Sequence, residues 1–373
     1  MQRATRMEVR LDNLKANYVS IRSHIGDRPE IFGVVKANGY GHGAVEVSRA
    51  LLEAGCRRLA VATPDEALEL REAGLEAPVL VLGPSPERSV VEFVRLGIAS
   101  AVTDLHFAKA LGAEATRQGR PAAVHVKVDS GMGRIGFLPK DIPDVLDELL
   151  TIPGLDIEGM FTHFAVADET RLDYTDYQFA GLQQSLRAAA ERGIRLALRH
   201  ACNSAGILAC PDKYLDAVRP GIILYGMWPS DECPRPIELK PTFEIKTEVA
   251  FVKELPPCSG VGYGLRYMTR GVEEIAVLPV GYADGYSRAL SMKVPVLVKG
   301  RRVPIRGNIC MDQTMIDVGH IPGARVGDEV VVIGRQGDDE ITVNEVADLT
   351  GTIPYDVMCA MGKQVQHRIY TGE

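Results

Sequence analysis

The sequence predicts an α/β fold, a TIM-type (β/α)8 barrel followed by a mainly β second domain. Up to about residue 226, short apolar, β-branched runs alternate with longer helical patterns. Eight such runs occur, the number of βα units that closes a parallel sheet on itself. After a Pro-rich stretch at 229–241 the alternation gives way to strands separated by Gly and Pro turns. At roughly 100 to 200 residues per domain, a chain of 373 residues has room for both.

The eight runs are 31–37, 58–63, 79–83, 99–103, 122–129, 157–165, 198–203 and 218–226. Helical patterns lie between them, among others at 43–54, 64–73, 86–96, 105–118 and 173–192. Several open on Pro or Asp and close on Gly, which are helix start and stop signals. Buried parallel strands are almost wholly apolar, so the polar residues at or just past their C-terminal ends stand out: Lys36, Thr63, Asp129, His163 and Asn203. That rim is where barrels of this kind carry out chemistry. Further on, runs at 243–254, 274–280, 294–298, 315–318 and 329–333 predict the β domain, with one helical segment near 343–349. The expected division is 1–235 and 236–373, with no internal repeat.

Composition narrows the function. The 46% hydrophobic and 24% charged residues are globular values, and no apolar stretch approaches the roughly 18 residues of a membrane span. The basic start of the chain runs into Glu8, Arg10 and Asp12, where a secretory signal needs an apolar core, so export is not expected. Seven scattered cysteines, never spaced as CxxC, predict reduced cytoplasmic thiols and no metal site. A net charge of −7 without basic tracts speaks against nucleic acid and for a small-molecule substrate.

The first run delivers a lysine into a glycine-rich loop, Val34-Val35-Lys36-Ala37-Asn38-Gly39-Tyr40-Gly41-His42-Gly43. Burial disfavours the ammonium and lowers its pKa, which suits a Schiff-base nucleophile or a general base. A lysine snorkelling to the barrel rim is the alternative on this strand alone. Taken singly, Tyr263 reads as a packing aromatic, Ser204 as a helix cap, Gly221 as a turn, Arg219 as a rim ion pair and His163 as a satisfied core histidine.

The same loop resembles the pyridoxal-phosphate attachment motif of alanine racemases. The resemblance continues in order through Val128-Asp129-Ser130-Gly131-Met132-Gly133-Arg134-Ile135-Gly136, Thr162-His163-Phe164-Ala165, Asn203-Ser204 and Arg219-Pro220-Gly221-Ile222. It ends with Gly281-Tyr282-Ala283-Asp284-Gly285 and Cys310-Met311-Asp312-Gln313, so it spans nearly the whole chain. The resemblance implies an isomerase that interconverts L- and D-alanine with pyridoxal 5'-phosphate, supplying D-alanine for peptidoglycan. Lys36 is implied to bind the cofactor and to serve the D-enantiomer. Tyr263, within Val261-Gly262-Tyr263-Gly264, is implied as the base for the L-enantiomer. One base on each face of a planar carbanion is what allows inversion. A free tyrosine has a pKa of about 10, so its anion needs nearby positive charge.

By the same resemblance Tyr40, Ser204, Gly221, Ile222 and Tyr355 hold the phosphate, while Arg219 faces the pyridine nitrogen. An arginine is always protonated, so that nitrogen stays unprotonated, a poorer electron sink that favours racemisation over decarboxylation. His163 is implied to lie against the cofactor and to support Arg219. Arg134 and the backbone N–H of Met311 are implied for the substrate carboxylate. Lys127 matches a lysine carbamylated in many members. A homodimer is implied, with Tyr263 and Met311 entering the partner's barrel mouth. Asn308 departs from the arginine common in the family, at a position associated with the outer substrate entrance, whereas Asp168 and Arg288 stand at other entrance positions. Serine therefore stays open as a second substrate. The competing readings are a basic-amino-acid decarboxylase on the same barrel, which Arg219 and Tyr263 oppose, and a non-catalytic pyridoxal-phosphate-binding protein, which the second domain opposes.

Overall fold

The computed structural model describes residues 3–365 and 367–372. Two compact units make up the chain, one of Asn13–Gly39 with Ala44–Lys240, the other of residues up to Asp12, Tyr40–Gly43 and Pro241 onward.

The first unit is the expected closed parallel barrel. Its strands are β2 (Glu30–Val34), β3 (Arg58–Val61), β4 (Val79–Val81), β5 (Ala99–Val102), β6 (Ala122–Lys127), β7 (Leu155–Phe161), β8 (Leu198–His200) and β9 (Ala217–Val218), where β1 is the N-terminal strand of the other unit, Arg6–Arg10. Closure comes from β9 pairing with β2 through Glu30↔Ala217 and Ile31↔Val218. The strand residues are apolar almost throughout because helices cover the outer face and side-chain layers fill the interior. His125 and His200 are exceptions, fully buried inside two barrel strands. The last expected run, 218–226, stops as a strand after Val218, because Pro220 offers no N–H to a ladder, and continues as a 3-10 turn, Ile222–Tyr225.

Among the described residues the second unit holds β1 and eleven further strands. In chain order these are β10 (Phe243–Glu248), β11 (Phe251–Leu255), β12 (Gly260–Val261), β13 (Tyr267–Met268), β14 (Glu273–Leu278) and β15 (Pro295–Val298). Then follow β16 (Arg301–Pro304), β17 (Thr314–Asp317), β18 (Glu329–Gln336), β19 (Asp339–Ile341) and β20 (Arg368–Thr371). The main sheet runs β16-β15-β18-β10-β1-β20, with β19 on β18, and β11-β14-β17 forms a second sheet. Strand β1 is absent from the sequence prediction: its alternation of buried Met7 and Val9 with Arg6, Glu8 and Arg10 spans only five residues. A second helix, Pro354–Gln364, also goes beyond the single segment expected near 343–349; Pro354 opens it, and Val357, Met358 and Met361 are its buried side.

Candidate active site

Lys36 leaves β2 half-buried, and the backbone after it winds left-handed, with φ of 52°, 54°, 59° and 52° at Ala37, Asn38, Gly39 and Tyr40. For non-glycine residues that region costs roughly 1–2 kcal/mol each, so the loop needs external support. Glu66 provides it: one carboxylate oxygen accepts the Ala37 N–H at 2.6 Å, and the other accepts the Ala62 and Thr63 N–H groups at 2.7 and 3.2 Å. Asn38 Oδ1 adds a bond from the Ala44 N–H at 2.8 Å. Thr63 and Glu66 also form a capping box at the next helix. The Thr-x-x-Glu spacing could have shown that role in the sequence, but not the second one on the lysine loop.

Lys127 ends β6 fully enclosed, with its Nζ donating to the Val128 carbonyl at 2.8 Å and lying 5.5 Å from the Phe161 ring centre. Burial, joined by the Arg219 and Arg134 charges, pulls its pKa down to about 7. Gly136 lies against it at φ +108°, where a Cβ would come within 2.8 Å of Lys127 Cγ and 2.6 Å of its carbonyl oxygen, so only glycine fits. The Asp129 carboxylate accepts the N–H groups of Gly131, Gly133 and Arg134 at 3.1, 3.0 and 2.9 Å, which orders the loop that presents the exposed Arg134. Those bonds outweigh burial and hold the carboxyl below its ordinary pKa.

Arg219 is only 3% exposed. Its Nη2 donates to the Thr162 and Ala201 carbonyls at 2.7 and 2.8 Å, its Nη1 lies 2.6 Å from His200 Nδ1, and its guanidinium sits 5.4 Å from the Phe161 ring centre. Desolvation lowers its pKa to about 10, still far above neutrality, so it stays charged. His200, which the sequence reading did not single out, is the histidine in contact with it. His163 approaches Asn203 Nδ2 at 3.4 Å, and desolvation together with Arg219, Arg134, Lys127 and Lys36 keeps its pKa well below the ordinary histidine value. Asn203 caps the helix Ser204–Ala209 by accepting the Gly206 N–H, so Ser204 itself is not the cap. Its hydroxyl instead accepts the Gly221 N–H at 2.9 Å, which brings the Ser204 and Gly221-Ile222 segments together.

In the second unit the Tyr40 and Tyr355 rings lie 6.2 Å apart. Tyr263 opens a 3-10 turn, Tyr263–Leu265, and is 74% exposed; Met311 is also exposed. Asn308 is buried at 3% exposure, and its Nδ2 donates to the Tyr263 carbonyl at 2.7 Å. It fixes the backbone under Tyr263. No group of three or more His, Cys, Asp or Glu among the described residues is disposed to hold a metal, and no helix is long and apolar enough to cross a membrane.

Comparison with known proteins agrees with this geometry. The family profile described as "Alanine racemase, N-terminal domain" matches residues 9–229, and "Alanine racemase, C-terminal domain" matches 242–370. A curated relative named "Alanine racemase 2", from Caldanaerobacter subterraneus, is 44% identical over 100% of this chain and 96% of its own. Among solved structures, the Clostridium difficile alanine racemase superposes with a TM-score of 0.94 at 39% identity, covering 100% of this chain and 96% of that one. A histidine racemase from Leuconostoc mesenteroides has a TM-score of 0.92 at 31% identity, covering 100% and 99%.

Proposed function

The chain belongs to the alanine racemase family and is an isomerase; on that premise we propose that it binds pyridoxal 5'-phosphate through Lys36 and inverts alanine with two bases, Lys36 and Tyr263. The carrying observation is the charge of the barrel mouth, where Arg219, Arg134, Lys127 and Lys36 all bear on a neutral His163. With Lys127 carbamylated, Arg219, Arg134 and Lys36 remain as cations, which suits a phosphorylated ring and the carboxylate of an amino acid. Alanine is favoured over a larger amino acid by the 39% identity to the Clostridium difficile alanine racemase structure, against 31% to the histidine racemase.

Lys36 Nζ would hold the cofactor, and Tyr40, Ser204, Gly221, Ile222 and Tyr355 would receive its phosphate. The fit rests on the donors present: Nε–H and one Nη1–H of Arg219 have no protein acceptor among the described residues. Arg219 can only donate, so the ring nitrogen it meets accepts a hydrogen bond and carries no proton. When bound, the cofactor acidifies the Cα–H of an amino acid joined to it. Arg134 and the Met311 N–H orient the substrate carboxylate, while Lys36 Nζ and Tyr263 Oη exchange the Cα proton from opposite faces.

Tyr263, Met311, Phe251, Leu265 and Val272 are exposed on the second unit, an apolar content that favours cover by a second copy. The reading is therefore of a homodimer whose sites take Tyr263 and Met311 from the partner. No disulfide joins the seven cysteines, which suits a reducing cytoplasm and a role in making D-alanine for peptidoglycan. The proposal is tested by following the optical rotation of L-alanine with the purified protein.

Lys127 is read as carbamylated: its amine attacks carbon dioxide, an N–C bond forms as one C=O π bond opens onto oxygen, one proton leaves, and the new carboxylate would offset the Arg219 and Arg134 charges that bear on Lys127. Only the neutral amine reacts, so with a pKa of about 7 the modification is favoured above neutrality and lost as pH falls through that value. Enzyme equilibrated with 13C-bicarbonate at pH 8 is expected to show a carbamate carbon by NMR. That signal should fade below pH 7 and be missing in Lys127→Ala; its absence from the wild type at pH 8 would remove the modification from the account.

A further inference from the structure

Behind Arg219 a line of buried polar side chains crosses the barrel interior, a space that branched apolar residues usually fill. Arg219 Nη1 lies 2.6 Å from His200 Nδ1, His200 Nε2 lies 2.9 Å from His125 Nδ1, and His125 Nε2 lies 3.1 Å from Glu158 Oε2. Glu158 Oε1 then accepts from Arg58 at 2.9 Å. Both imidazoles are fully buried, and the Phe161 ring stacks on His200 at 4.7 Å and 10°.

Elimination fixes the protons. A guanidinium has five N–H donors and no acceptor, so His200 Nδ1 must present its lone pair. His200 then carries its proton on Nε2 and donates it to His125 Nδ1. His125 in turn carries its proton on Nε2 and donates to the Glu158 carboxylate, whose pKa is held down first by that bond and, against burial, also by the Arg58 cation. Protonating or reversing either ring would set two donors face to face in a buried contact, which costs the desolvation of both. Desolvation, the largest cause, lowers the pKa of both histidines, and their nearest cation charges act the same way on His200.

We infer that His200, His125 and Glu158 form a one-directional hydrogen-bond relay that positions Arg219. The inference rests on the role given to Arg219 above and adds three positioning residues to it. Two backbone carbonyls already satisfy Nη2, so the relay's task is the other arm: it fixes the rotation of the guanidinium and hence the aim of the Nε–H and remaining Nη1–H. The acceptor geometry carries the effect, while the Glu158 charge is secondary: an amide oxygen still accepts from His125, though more weakly than a carboxylate.

The test is solid-state 15N NMR of the full-length, cofactor-loaded enzyme with labelled histidine, read beside steady-state kinetics of two variants. In the wild type both His200 and His125 are expected as neutral Nε2–H tautomers. His125→Phe keeps a ring in place but leaves the His200 Nε2–H without an acceptor. Its kcat per cofactor-loaded site should fall about tenfold with KM within twofold, the scale of losing a group that orients a functional side chain. Glu158→Gln should keep both tautomers and lose less than threefold, and it tests the relay if His125→Phe does not fold. A proton on His200 Nδ1, or wild-type kcat in His125→Phe, overturns the relay. So does a tenfold loss in Glu158→Gln with both tautomers retained, which would make charge and not acceptor geometry decisive. A protein that does not racemise alanine would instead overturn the role of Arg219, and the tautomers would still decide whether the relay exists.

Discussion

Lys36→Ala is expected to remove racemisation altogether, by about 10³-fold or more, the scale for deleting a group that is both attachment point and base. That is a barrier increase of at least about 4 kcal/mol. The visible absorbance of lysine-bound cofactor should vanish with it. Lys36 is half-buried at a strand exit, and the bonds shaping its loop come from the Ala37 and Gly39 N–H groups and the Asn38 side chain, so the fold should survive. Circular dichroism and thermal unfolding close to wild type, with no turnover, are the expected pair of results. Retained turnover would mean another residue carries the cofactor.

Tyr263→Phe deletes one oxygen from a side chain that is 74% exposed, so stability should change by no more than about 0.5 kcal/mol. Its kcat/KM should fall about 10²- to 10⁴-fold, the contribution of a positioned acid–base group. Enantiomers have equal free energies, so the loss must be the same in both directions. The two directions separate in exchange: D-alanine should still trade its Cα hydrogen with solvent through Lys36 without inverting, while L-alanine should lose that exchange. If the sites are shared between copies, mixing and re-equilibrating the Lys36→Ala and Tyr263→Phe proteins should return about a quarter of wild-type activity, because half the dimers are mixed and each has one intact site. No recovery would place both bases in one chain.

Much of the barrel was legible because its strands are short apolar runs between capped helices, a pattern with a local physical cause. The exceptions also have causes. Strand β1 is too short and too charged for its alternation to register, and it is stabilised by pairing with β10 and β20, more than two hundred residues away in sequence. The eighth run is cut at Pro220, which apolar content alone does not reveal. Within the site, Lys36, Arg219 and Tyr263 could be named from contiguous motifs. Glu66, His125, His200 and Glu158 could not, because their partners lie on other strands and loops and only the closed barrel brings them together. A histidine in an apolar strand was a visible signal at both 125 and 200, but its direction and partner were not. Asn308 is a further case: the sequence shows a departure from the family at that position, but its bond to the Tyr263 carbonyl is visible only in the fold.

The most direct test of the central claim is to incubate the purified wild-type protein with L-alanine in deuterated water, following optical rotation and hydrogen exchange at Cα together. Two bases acting through a lysine-bound cofactor predict that rotation decays to zero while deuterium appears at Cα. Cofactor absorbance with undiminished rotation and no deuterium would contradict the account and leave a pyridoxal-phosphate protein that does not act on alanine.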